Sequence, residues 1–406
     1  MTNDPTADDF ALADEFALAA DSTPLLAILQ HRIDEADGRI TFAEFMALAL
    51  GHPDHGYYSR SDLRWGRDGD YETSPEVHPI FGYLWARQVL ECWERLGRPA
   101  PFALVEPGAG SGSFMAAILT WLRARAPECF AAAHPVMLDG HPNRLAAQRA
   151  ALTARGFEVE HALFDAWLAR EGRLTAVVIS NEFFDALPVH LVERHGDELL
   201  ECYVALDVSG KLTLVEGAPS TPAIRAYFER IGRLPGDGAR AEVGLASVDV
   251  MSRIASRVDR GFILTIDYGY GAPELYAAWR TQGTLMAFRR HSPQPDPLAA
   301  PGLTDLTYHV DFTSLAAAAG EGWEHAPTTT QAEALTVLGL ADAMRTAAAR
   351  AHLDAQRYAS ERRAAETLTD PSGLGRIRVL AMGRGVAVDG LRCLRPIESL
   401  LKGDSS

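Results

Sequence analysis

The segment Glu106-Pro107-Gly108-Ala109-Gly110-Ser111-Gly112 constrains this chain more than any other. It joins an apolar, strand-like run from Phe102 to Glu106 to a helical run from Ser113 to Arg125. Glycines at such a junction let the backbone pass close to a ligand, and the free N–H groups at the helix start attract an anionic group. The spacing separates this turn from others of its kind. A dinucleotide fingerprint needs G-x-G-x-x-G/A, but Ser113 fills the last place and Gly112 comes one residue early, which disfavours a nicotinamide oxidoreductase. No lysine follows Gly112 as a P-loop requires, and neither Ser111 nor Ser113 sits in a G-x-S-x-G elbow.

Downstream, short apolar runs alternate with helical ones, as in a parallel sheet covered on both faces. Pro135–Leu138 ends at Asp139 and leads to a helix through Leu145 and Ala150; Ala176–Ile179 runs into Ser180 and Asn181. From Val189 to Glu216 the texture becomes an antiparallel meander. A helix from Val248 to Val258 then returns to a buried strand, Phe262–Ile266, closed by Asp267. Upstream, helical runs begin after Pro24 and, capped by Thr41, at Phe42. A polar loop from Gly51 to Pro75 precedes a further helix near Pro79–Leu96. The expected division is an acidic tail over residues 1–24, a helical cap with a cofactor-lid loop over 25–100, a core over 101–286 with an insertion at about 190–247, and a mostly helical region over 287–406.

Charge narrows the partners. Asp and Glu number 54 against 38 Lys and Arg, a net charge of −16, which argues against nucleic acid and suits a basic partner. Cys92, Cys129, Cys202 and Cys393 show neither zinc nor disulfide spacing. With no secretory pattern and no apolar run of about 20 residues, the expected setting is cytoplasmic, without a membrane span. Oligomeric state is not readable.

Four polar residues, Glu106, Asp139, Asn181 and Asp267, terminate the predicted parallel strands at one edge, where ligands of open α/β sheets bind. Asn181-Glu182-Phe183-Phe184-Asp185-Ala186-Leu187-Pro188 adds two acids and two aromatics there. His52 and His55 lack further ligands at metal spacing and read as turn formers, so no metal is expected. Thr73-Ser74-Pro75-Glu76 is a helix start in which hydroxyls cap and proline leads; the loop from Gly69 to Glu76 is also a candidate lid over a cofactor.

The form E-x-G-x-G-x-G resembles the first motif of class I S-adenosylmethionine-dependent methyltransferases. Longer strings resemble the MidA family, bacterial and mitochondrial methyltransferases whose mitochondrial member is a complex I assembly factor: Phe42–Leu50, His52-Pro53 through Tyr58, Gly69-Asp70-Tyr71 with Thr73–Glu76, Glu106–Gly112, Asn181–Val189, Ile266–Tyr270, Gly283-Thr284-Leu285, and Asp305-Leu306-Thr307 with His309–Phe312. The resemblance runs from about Ile40 to Leu340. Departures are Ala109 and Ser111, where the family usually has Pro and Arg, and Asp139, where it usually has Glu.

This resemblance implies a class I, Rossmann-like α/β fold: a mostly parallel sheet with an antiparallel insertion and helical additions at both ends. It implies S-adenosyl-L-methionine as cofactor, bound by Glu106, Gly108, Gly110, Gly112, Asp139 at the ribose, Thr73, Ser74 and Asn181. The expected reaction is methylation of an arginine in a protein with a basic segment. Glu182 and Asp185 are the candidate catalytic acids, forming a fork for the guanidinium if a helical turn succeeds Asn181. Alternatives are an assembly or chaperone-like binding protein that keeps the fold, and a small-molecule methyltransferase.

Overall fold

The computed structural model describes residues 23–60, 73–289 and 292–398. Most of the expected acidic tail and the Gly69–Glu72 part of the expected lid lie outside them. The described residues form two compact units, each drawn from separated stretches of sequence: those within 1–63, 186–246 and 276–308 in one, and those within 64–185, 247–275 and 309–406 in the other.

The larger unit is built on a sheet whose strands are β1 (Phe102–Pro107), β2 (Ala133–Asp139), β3 (Glu160–Leu163), β4 (Leu174–Asn181), β5 (Val258–Asp267), β6 (Trp323–His325) and β7 (Arg378–Arg384). Their order is β6-β7-β5-β4-β1-β2-β3, with Thr329–Thr330 also pairing along β7. The five strands from β5 to β3 are parallel, and β7 runs antiparallel to both β5 and β6. Its helices include α1 (Ser74–Val77), α2 (Ile80–Arg95), α3 (Ser113–Arg125) and α4 (Pro142–Ala154). Phe81 and Trp85 of α2, Phe114 and Ile118 of α3, and Val177, Ile179, Phe262 and Leu264 of the sheet share one buried core. All six residues of β1 are buried, as a central parallel strand requires.

In the C-terminal region the expected helices are present, but β6 and β7 join them. The run Val379-Leu380-Ala381-Met382 is buried throughout, and a short, wholly apolar segment carries no period that tells strand from helix. The register of β7 against β5, Phe262 facing Gly383 and Ile266 facing Val379, is a tertiary choice.

The smaller unit carries the antiparallel meander. His190–His195 pairs with Glu198–Leu206 and with Arg240–Val243, and Glu198–Leu206 also pairs with Leu212–Gly217. The N-terminal segment adds a strand beyond those expected, Arg39–Thr41, against Tyr203–Ala205. Thr41 caps the helix Phe42–Gly51 by accepting the Glu44 N–H at 3.1 Å. The His52 ring accepts the N–H groups of Asp54 and His55, a local turn.

Candidate active site

The glycine turn leaves the carboxyl end of β1 and enters α3. Gly108, Gly110 and Gly112 all have left-handed φ, at +68°, +52° and +84°. Gly108 is the most constrained, because a Cβ there would overlap the Phe183 ring. The turn is thus glycine for a steric reason, with an aromatic of the Asn181–Pro188 segment against its backbone.

The strand-end residues fall into three environments. Glu106 is 4% exposed, and its Oε2 has no hydrogen-bond partner. Burial pushes its carboxyl well above the usual range, Met115 N–H pulls it back, and the nearby Glu76 adds to the rise. Asp139 is saturated: Oδ1 accepts from His141 N (3.0 Å), Arg144 Nε (3.0 Å) and Arg144 Nη2 (2.7 Å), and Oδ2 accepts Gln148 Nε2 at 3.0 Å. Gln148 also donates to Gly110 O at 2.8 Å, tying the glycine turn to the acid. Asp267 accepts Phe183 N, Phe184 N and Tyr268 N at 2.9–3.1 Å and is pushed up to about 8, first by burial. It therefore supports the loop that carries the candidate acids.

In that loop, Glu182 adopts φ +46°, and the helical turn considered after Asn181 is a 3-10 turn over Phe184–Ala186, which begins beyond Glu182. Glu182 Oε1 accepts Asn181 Nδ2 at 2.8 Å and Ser74 N at 3.2 Å. Asp185 is 7% exposed. Both acids act on Tyr268, whose hydroxyl is held protonated by burial first and then by Glu182 and Asp185. Glu182 and Asp185 stand three residues apart on this loop. Asn181 Oδ1 is buried without a partner.

Helix α1 behaves differently from expectation. Thr73 occupies its N-cap position without a side-chain cap bond, and the helix ends after one turn at His78. Ser74 is fully buried, and its hydroxyl donates to Gln331 Oε1 at 2.9 Å, so it is committed to the protein interior. Glu76, an acid of a first helical turn by its sequence, instead accepts Ser111 Oγ at 2.5 Å and Ser113 Oγ at 2.6 Å. Spacing alone does not assign Glu76, Arg144, Gln148 or Tyr268 to the site. Arg144 and Gln148 stand four apart on α4, one face of the helix after Asp139, and that is their available signal.

Two buried acceptors, Glu106 Oε2 and Asn181 Oδ1, have no partner at the strand ends, and the turn after Glu106 has no room for a Cβ at Gly108. Such a place fits a ligand that offers donors and a slender backbone, as S-adenosylmethionine does. Sheet order, glycine turn and polar strand ends together define a class I, S-adenosylmethionine-dependent methyltransferase.

Similarity to known proteins carries this further. Residues 84–328 match the family described as "Putative S-adenosyl-L-methionine-dependent methyltransferase". The "Protein arginine methyltransferase NDUFAF7, mitochondrial" of Danio rerio is 30% identical over 73% of this chain and 72% of its own length. The Drosophila melanogaster homolog is 31% identical over 68% of this chain and 65% of its own length. A COG1565 superfamily member from Burkholderia thailandensis, solved with S-adenosyl-homocysteine bound, is 29% identical, superposes with a TM-score of 0.81 and covers 98% of both chains. The chain belongs to this methyltransferase family, the MidA family. Its cofactor is S-adenosyl-L-methionine. The expectation of a cytoplasmic setting is overturned by the relatives, which are named as mitochondrial proteins. Among the described residues no helix is long and apolar enough to cross a membrane.

Proposed function

We propose that this enzyme methylates an arginine side chain of a protein, with Glu182 and Asp185 receiving the guanidinium. The observation that carries this reading is that Glu182 and Asp185 lie three residues apart on the loop leaving β4, Asp185 within the 3-10 turn and Glu182 just before it, with Asp267 accepting the Phe183 and Phe184 N–H groups between them. The relatives named protein arginine methyltransferases support it at about 30% identity. Glu106, Asn181 and the backbone of Gly108, Gly110 and Gly112 would hold the donor; Asp139, expected at the ribose, is closed by Arg144 and Gln148 and would act on the donor only through Gln148, which holds Gly110 O, while Ser74 donates its N–H to Glu182.

The donor supplies an electrophilic methyl on sulfonium sulfur. The protein's tasks are alignment and proton removal. A guanidinium stays protonated, with a pKa above about 12, so its nitrogen attacks only as a proton departs. The N–C bond forms as the C–S bond breaks, its electrons remaining on sulfur, and the nitrogen's proton passes to a carboxylate of the fork. Glu182 Oε1 accepts from Asn181 and Ser74, which fixes the orientation of this carboxylate.

The test combines labelled donor with lysate protein from a strain lacking this gene, comparing wild type with Glu182→Gln and Asp185→Asn. Label on arginine that is lost in both variants while donor binding persists is the expected result. Label only on small molecules, or full activity in both variants, rejects the fork.

A further inference from the structure

Glu76 stands at the glycine turn with half of its carboxylate in use. Oε1 accepts the hydroxyls of Ser111 and Ser113, at 2.5 and 2.6 Å, and Ser111 Oγ in turn accepts the Ser113 N–H at 3.2 Å. Oε2 accepts no hydrogen bond among the described residues, and the side chain is half-buried. Its charge reaches the interior, since it helps raise the carboxyl of Glu106.

The two acids are therefore unlike. Glu106 is buried, and burial disfavours its anionic form. Glu76 is anchored by two hydroxyls that donate to it, an arrangement suited to a charged carboxylate. The methionyl end of the donor carries an α-carboxylate and an α-ammonium side by side. The start of α3 suits the carboxylate; the ammonium needs an anion within reach of the same turn.

We infer that Glu76 is a donor-binding residue: its Oε2 receives the α-ammonium of the methionyl part, while Oε1 remains tied to Ser111 and Ser113. This rests on the reading that the donor lies along Gly108–Gly112. It makes α1 a crossbar, because Ser74 of the same turn donates its N–H to Glu182. One short helix then touches both the donor's amino acid end and an acceptor acid.

The experiment is titration calorimetry on the full chain with S-adenosylhomocysteine, its N-acetyl derivative and 5′-methylthioadenosine, which lacks the amino acid end. Glu76→Gln keeps an oxygen for the serine hydroxyls and removes the charge. It should bind S-adenosylhomocysteine about 10- to 100-fold more weakly and 5′-methylthioadenosine as wild type does. Wild type should lose a similar factor for the N-acetyl ligand, and Glu76→Gln should lose little more. Equal weakening of S-adenosylhomocysteine and 5′-methylthioadenosine by Glu76→Gln, or no weakening of either, overturns the inference. Gly108→Ala distinguishes the underlying reading: it should weaken both ligands, and unchanged binding of both by that variant would remove the donor from the glycine turn altogether.

Discussion

Two buried glutamates, one in each unit, meet opposite fates. Glu242, 5% exposed on the strand Arg240–Val243, accepts Thr284 N at 2.9 Å, Thr284 Oγ1 at 2.8 Å and Leu285 N at 2.9 Å. Gly283 beside it has φ +68°, and a Cβ there would collide with the Glu242 carboxylate. Glu106 is as deeply buried but has one oxygen without a partner. Both lie near strings that match the family, yet only the second leaves hydrogen-bonding capacity for something outside the chain. A matched string alone therefore does not distinguish a lock from a site; the count of satisfied polar atoms does.

The strongest way to break this contrast is to fill the glycine turn. Gly108→Ala puts a Cβ into the Phe183 ring at a left-handed φ and should weaken S-adenosylhomocysteine by more than about 30-fold in calorimetry. Near-normal affinity would mean that the turn is a packing device like Gly283. Next in size is a matched pair of apolar replacements. Glu242→Leu leaves three buried donors unpaired and should cost about 3 kcal/mol in urea denaturation, whereas Glu106→Leu should cost about 1 kcal/mol or less and abolish donor binding. Equal stability losses would erase the distinction between the two acids.

Asp139→Ala sharpens the same question at the next strand. Removing an acceptor from Arg144 and Gln148 should lower donor affinity by about 1.5–3 kcal/mol. An unchanged affinity would assign Asp139 to the Arg144 pair alone. A further test is on pH. Asp267 sits at about 8 against an ordinary value of 3.8, so its contribution to stability is full below about pH 4 and is lost as pH rises toward 8. Asp267→Asn, whatever its constant cost, should flatten the decline in stability between those limits. Parallel wild-type and variant curves would show that Asp267 is ionised throughout.

The sequence alone determined the strand–turn–helix at Phe102–Arg125 and the polar ends of four strands, because both are local: glycine is demanded by backbone angle, and parallel strands by unbroken apolar runs. It also marked Asn181–Pro188, whose composition of acids and aromatics is unusual for a link. What it did not determine was the use of each polar group. Ser74 reads as a cap and is spent on Gln331, 257 residues away; Glu76 reads as first-turn acid and holds Ser111 and Ser113, 35 and 37 residues on. Asp139 reads as an open acceptor and is closed by Arg144 and Gln148. The strand Arg378–Arg384 had no period to announce it, and its place between β5 and β6 depends on pairing with residues distant in the chain. Local angle and burial are written residue by residue, but a hydrogen-bond partner is chosen only when the fold brings distant groups within about 3 Å, and that choice belongs to the tertiary structure.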